Sequence, residues 1–126
     1  MLFYTLGYSY VIILQSRRVS MSRKRSKEKN LQKQIASERI IKLLEMAESH
    51  ALEGNMMLAN RYVELSRKLS MRYLVPIPAA YKRCFCKHCY SYLLPGVSSR
   101  VRISRGRLIT SCFQCQKQMR RPLKHN

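Results

Sequence analysis

Two Cys-x-x-Cys pairs, Cys86-Lys87-His88-Cys89 and Cys112-Phe113-Gln114-Cys115, are the residues of this chain best suited to chemistry, and 22 residues separate them. A tetrahedral zinc ion takes four thiolates. A two-residue gap lets one tight turn aim both sulfurs of a pair at the same ion. Two such turns, brought together, make a zinc ribbon. The interval is slightly longer than the roughly 15–20 residues of the common double-knuckle pattern, which leaves room for an antiparallel hairpin between the pairs. Four protein ligands close the coordination shell, so one structural zinc ion is expected, with no open position for catalysis.

Other uses of these cysteines fit less well. Disulfides need an oxidising compartment, and nothing in the chain signals secretion. A redox Cys-x-x-Cys sits in a βαβ context, which the sequence lacks. Cys84 is the fifth cysteine. In place of Cys86 it would leave a four-residue gap to Cys89, which zinc also accepts, so Cys86 is preferred only for its tighter knuckle. His88 reads as a solvated turn residue, because four thiolates already complete the shell.

The elements that must position these turns sit in a very basic chain. Lys and Arg total 25 against six acidic residues in 126, a net charge of +19. Such a charge repels itself unless a polyanion neutralises it. Nucleic acid is the partner this implies, with counterion release driving much of the affinity. The basic residues are spread along the chain rather than gathered in one amphipathic stripe, which argues against a membrane surface.

The apolar, aromatic run Met1–Leu14 is too short for a spanning helix of about 20 residues. Arg17 and Arg18 follow it, the reverse of signal-peptide order. The functional chain is therefore expected to start at Met21. Residues 1–34 read as a leader and a basic arm. The stretch 21–33 is almost free of apolar residues and should be disordered alone, as a solvated tail or as an arm that orders on nucleic acid.

From about Ile35 the pattern turns helical. Ile40, Leu44, Ala47 and Ala51 fall on one helix face, and Gly54-Asn55 stops it. A second stripe, Leu58, Tyr62, Leu65, Leu69 and Tyr73, ends at Pro76 and Pro78. The short connection predicts an antiparallel helical hairpin over 35–74. Its stripes are core or partner-facing seams, with Leu44, Ala47, Leu58, Tyr62 and Leu65 as candidate partner contacts. Arg61, Lys68 and Arg72 lie on the opposite face of the second helix, either as an ordinary solvated face or facing RNA. Residues 75–83 form an extended linker, and 84–126 a ribbon with a basic tail.

In the ribbon, Val101 and Ile103 alternate with Arg100, Arg102 and Ser104, a strand period. Arg105-Gly106-Arg107 supplies a turn, and Leu108–Ser111 returns. Arg100 and Arg102 should share one face, with Arg105 and Arg107 at the tip. Tyr81, Phe85 and Tyr90 either pack around the ribbon or stack on unpaired bases. There is no Asp, no paired carboxylate set suits a metal-ion nuclease, and His50, His88 and His125 have no nucleophile partner. The composition therefore points to a small α+β protein that assists rather than reacts.

Certain segments carry a resemblance. They are the run Ala59–Tyr73, with Arg61-Tyr62, Arg67-Lys68 and Arg72-Tyr73; Pro76-Ile77-Pro78; and Cys86–Cys89 followed by Leu94-Pro95-Gly96. Arg100-Val101-Arg102, Ile109–Cys115 and Arg120-Arg121-Pro122 complete it. Over about residues 35–123 the chain resembles the Rpr-type family of zinc-ribbon protein subunits of ribonuclease P, in its archaeal form. The double knuckle is common to many ribbons; the helix joined to a Leu-Pro-Gly ribbon is far more specific. The resemblance implies two helices, a linker and a ribbon arranged as an L, with zinc held by Cys86, Cys89, Cys112 and Cys115. It implies a non-catalytic subunit of an RNA-based endoribonuclease that removes 5′ leaders from precursor tRNA. It also implies an Sm-like barrel subunit as heterodimer partner, ribonuclease P RNA as the bound RNA, and a cytoplasmic location. Gln116 stands where many ribbons have glycine, so that turn is expected to differ. The competing reading is a zinc ribbon of the transcription machinery or ribosome, using the same metal fold without the hairpin's barrel partner. In either reading Arg61, Lys68, Arg72, Arg100, Arg102, Arg105 and Arg107 are the candidate phosphate contacts.

Overall fold

The computed structural model describes the backbone of residues 4–123 and the side-chain surroundings of residues 22–123. The side chains of the leader and all of His125 lie outside the described residues. The elements in order are helix α1 (Tyr4–Leu52), helix α2 (Met56–Tyr73), a 3₁₀ turn (Tyr81–Arg83), and strands β1 (Ser99–Ser104), β2 (Arg107–Cys112) and β3 (Gln118–Pro122). The chain divides into two compact units, residues 1–35 and 36–126. No helix among the described residues is long and apolar enough to cross a membrane.

α1 continues through 21–33, where the sequence suggests a disordered arm. No proline or glycine interrupts the chain from Tyr8 to Glu53, and Lys, Arg, Glu and Gln favour helix. Propensity is all that this stretch has, because every side chain from Ser22 to Ile35 is exposed. Among residues 22–123, burial begins at Ala36. From there Ile40, Leu44, Ala47 and Ala51 are at most 1% exposed, as their spacing predicts. The helix ends in a Schellman motif. Gly54 (φ +89°) donates its N–H to the Ala51 carbonyl at 3.1 Å, and Asn55 donates to His50 at 2.8 Å.

On α2 the seam lies one residue round from the expected stripe. Ala59, Val63 and Ser66 are fully buried, with Tyr62, Leu69 and Tyr73 packed at the margin, whereas Leu58 is 46% exposed. Hydrophobicity ranks leucine above alanine and serine. The seam instead takes small side chains, Ala59 and Val63 clustering with Ala47 and Ala51, and Ser66 satisfies its hydroxyl by donating to the Val63 carbonyl at 2.7 Å. His50 stacks on Tyr62, ring centroids 5.4 Å apart. α2 closes on Leu74 in the left-handed region (φ +54°), and Val75 donates back to Ser70.

The linker is extended through Pro78 and then turns through the 3₁₀ segment. Phe85 and Tyr92, which pair as an isolated bridge, join the hairpin core. The Tyr92 N–H donates to Asn60 Oδ1 on α2 at 2.8 Å, a bond that fixes the ribbon to the helix. The sheet is antiparallel in order β1-β2-β3. Arg105 and Gly106, both at positive φ, make the two-residue β1–β2 turn. Arg107 is therefore the first residue of β2 and not part of the tip. β3 lies within the segment read from the sequence as a ribbon with a basic tail. Its sequence offers only Met119 as a buried residue, too short a pattern to read as a strand, and its pairing with β2 supplies the rest.

Candidate metal centre and arginine face

The two knuckles are built alike. The N–H of Cys86 donates to the Ser91 carbonyl at 2.9 Å, and that of Cys112 to the Lys117 carbonyl at 3.0 Å. Each is five residues on and closes the same loop around its cysteine pair. In each loop the residue after the second cysteine is left-handed: Tyr90 (φ +60°) and Gln116 (φ +59°). Gln116 thus adopts the geometry glycine would, contrary to the expected difference. Its side-chain Nε2 donates to the Phe113 carbonyl at 2.7 Å, which helps to hold the turn.

These loops bring the Sγ atoms of Cys86, Cys89, Cys112 and Cys115 within 4.8 Å of one another. Cys86 and Cys115 sulfurs are 3.6 Å apart, as are those of Cys89 and Cys112. Thiolates around a tetrahedral ion with bonds of about 2.3 Å would stand about 3.8 Å apart. The donor set and its spacing therefore fit one metal ion. The His88 N–H donates to Cys86 Sγ at 3.4 Å, while its ring stays exposed. Cys84 is outside the cluster, half-buried, with its thiol pushed up by burial.

Thiol acidity differs across the cluster. Burial pushes Cys112 up to about 11 and raises Cys86 as well. Burial also raises Cys89, but hydrogen bonds from Ser91 and from the neighbouring thiols outweigh it and hold Cys89 down to about 6. Ser91 Oγ lies 3.1 Å from Cys89 Sγ and 2.6 Å from Gln114 Oε1, tying one knuckle to the other. A metal ion must displace the remaining thiol protons to bind.

The strand register places the arginines. Arg102, Ile109 and Arg120 are cross-strand neighbours, as are Ser104, Arg107 and Pro122. Alternation puts Arg100, Arg102, Arg107 and Arg120 on one face of the sheet. Arg102, Arg107, Arg120 and the tip residue Arg105 line a cavity of ≈ 390 Å³, with Ile109 beneath them. Arg120 is absent from the sequence-based candidates, because only the unexpected β3 brings it here. All six acidic residues lie at or before Glu64, so nothing in the ribbon offsets this charge.

The helical candidates behave differently. Glu64 pairs with Arg61 at 2.9 Å and with Lys68 at 2.6 Å, and those partners, Lys68 first, hold its carboxyl below the usual range. The Arg72 guanidinium lies 5.6 Å from the Tyr73 ring centroid. Of the apolar candidates, Leu44 and Ala47 are buried in the hairpin's own core, Tyr62 and Leu65 are half-buried, and Leu58 is exposed.

Comparisons agree with this architecture. Residues 39–117 match the family model described as RNAse P Rpr2/Rpp21/SNM1 subunit domain. The chain is 44% identical over 100 residues to ribonuclease P protein component 4 of Methanosarcina acetivorans, covering 79% of this chain and 92% of that protein. Against the protein of the same name from Pyrococcus horikoshii it is 39% identical over 107 residues, covering 82% and 88%. A chain in the cryo-EM structure of archaeal ribonuclease P with mature tRNA superposes with a TM-score of 0.66 at 38% identity, covering 71% of this chain and 77% of that one. A structure of Pfu Rpp21 gives 0.52 at 36% identity, covering 69% and 99%.

Proposed function

This chain belongs to the RNase P Rpr2/Rpp21/SNM1 subunit family, as a protein subunit of the ribonucleoprotein that removes 5′ leaders from precursor tRNA, and we propose that it assists the catalytic RNA by neutralising its phosphates. The observation that carries this is the arginine face of the sheet, four guanidinium groups on a surface with no acid nearby. Guanidinium groups suit phosphate because they present paired donors. Phosphate contacts position a protein on RNA and relieve repulsion between strands; they supply no nucleophile.

The metal is zinc, which four clustered thiolates and a closed tetrahedral shell favour. Zinc holds the two knuckles together, and the knuckles set the sheet that carries Arg100, Arg102, Arg107 and Arg120. Arg105 extends the surface at the tip, while Arg61 and Lys68 contribute less because Glu64 already pairs with them. Arg72 lies on the same helix without an acidic partner and adds a further phosphate contact. Leu58, with the exposed margins of Tyr62 and Leu65, docks the Sm-like barrel subunit; Leu44 and Ala47 instead hold the hairpin itself. The complex works in the cytoplasm.

The test is precursor-tRNA cleavage by ribonuclease P RNA with its other protein subunits at limiting magnesium, with and without the zinc-loaded chain. Addition should lower the magnesium requirement. No effect would overturn the reading. Replacing Arg102 and Arg120 with alanine should flatten the salt dependence of RNA binding by about 0.7–0.9 for each phosphate that is no longer neutralised.

A further inference from the structure

We propose that the groove between the linker and the first knuckle holds one unpaired nucleotide of the RNA, its base against the Tyr90 ring and its phosphate on the surrounding cations. This rests on the RNA-subunit reading above and adds to the sheet's phosphate face a subsite that recognises a base.

The groove has a volume of ≈ 750 Å³, within the range of small-molecule sites. Ile77, Phe85 and Tyr90 give it an apolar wall, and Lys82, Arg83, Lys87 and Arg121 line it with positive charge. No acidic residue lines it. The occupant must therefore be flat and apolar on one side and anionic on the other, which is the chemistry of a nucleotide. An acidic peptide would satisfy the cations and leave the apolar wall uncovered. Arg121 donates to the Lys82 carbonyl at 3.2 Å, so two of the cationic residues are fixed to one another.

Tyr90 is the distinguishing residue. The knuckle needs a left-handed residue after Cys89, and glycine would supply it without strain. A bulky ring at φ +60° is an outlier there. The residue remains 39% exposed, with the Arg67 guanidinium 3.2 Å above its ring centroid. Arg67 covers one face of the ring and does not line the groove. Bases stack on such rings in single-stranded RNA recognition. Of the other two candidate aromatics, Phe85 lines the groove but is only 8% exposed, and Tyr81 donates its hydroxyl to Glu45 at 3.5 Å. The equivalent position in the second knuckle, Gln116, has no ring.

The experiment uses the full zinc-loaded chain. In NMR titrations, AMP should move the Ile77 methyl and Tyr90 ring signals by ring current, whereas inorganic phosphate should leave the Ile77 methyl in place. Affinity for ribonuclease P RNA is then measured across salt concentrations. Tyr90→Gly relieves the backbone strain and removes the ring. It should weaken binding about 5- to 150-fold, the span expected for unstacking one base. The salt slope should stay the same, because no cation is removed. Tyr90→Phe should rescue affinity. Wild-type affinity in Tyr90→Gly would overturn the groove while leaving the RNA-subunit reading intact. Hexaglutamate moving the Ile77 methyl as far as AMP does would assign the groove to an acidic peptide. A wild-type chain that fails to bind the RNA would remove both readings.

Discussion

The helical hairpin and the ribbon are of similar length and are held together in different ways. In the hairpin Ile40, Leu44, Ala47, Ala51, Ala59 and Val63 are at most 1% exposed, and the stabilisation is spread over many apolar side chains. The buried cluster of the ribbon is Cys86, Leu93, Cys112 and Met119, and two of these four belong to the cysteine cluster able to hold a metal ion. Most of the rest of the sheet faces solvent: Arg100 to Arg107 are all exposed. Distributed burial tolerates the removal of one side chain. A ribbon organised by one ion, as we propose, would not tolerate its removal, and its freedom from a thick core leaves a whole sheet face available for arginines.

Metal removal should separate the two regions most sharply. Structural zinc contributes about 10–16 kcal/mol in comparable small domains. Chelation, or Cys112→Ser, should abolish the dispersed NMR signals of β1–β3 while far-UV circular dichroism keeps the helical signal. Acid should act in the same direction. Hydrogen bonds hold Cys89 down to about 6, and burial holds Cys86 and Cys112 protonated to higher pH. Metal affinity should therefore rise with pH and fall on acidification through 6, read with a chromogenic zinc indicator. A ribbon that stays folded without metal would end the comparison.

Leu44→Ala probes the other side. Removing a fully buried leucine costs about 2–5 kcal/mol. It should lower the thermal midpoint of the helices without altering zinc stoichiometry. Loss of zinc in this variant would mean that the two regions fold as one.

Asn60→Ala tests the link between them. It leaves the Tyr92 N–H without its acceptor, which costs about 1–3 kcal/mol. Hydrogen exchange at Tyr92 should accelerate, with smaller changes in the sheet.

The smallest effects come from strained backbone. Gln116→Gly and Leu74→Gly each remove a left-handed side-chain residue and should stabilise by up to about 1 kcal/mol. Denaturant melts should assign the first gain to the ribbon and the second to the hairpin. Gln116→Gly should gain less, because it also removes the side-chain bond to Phe113.

The sequence by itself determined the local features. The spacing of four cysteines identified a cluster able to hold a metal ion, and a 3.6-residue period placed the seam of α1 residue by residue. Gly54 marked the hairpin turn, and alternation put Arg100 and Arg102 on one strand face. These signals are local because ligand geometry, helix pitch and strand pleat repeat over a few residues. Tertiary structure decided the rest. The α2 seam runs through Ala59, Val63 and Ser66 because the opposing helix accepts small side chains there, whatever their rank in hydrophobicity. Gln118–Pro122 became a strand because β2 had an edge to pair. That pairing alone set Arg120 beside Arg102 across Ile109. The ring of Tyr90 met Arg67 because the ribbon packs on α2. Packing between residues far apart in the chain leaves no period in the sequence, so its phase and register are fixed only when the elements meet.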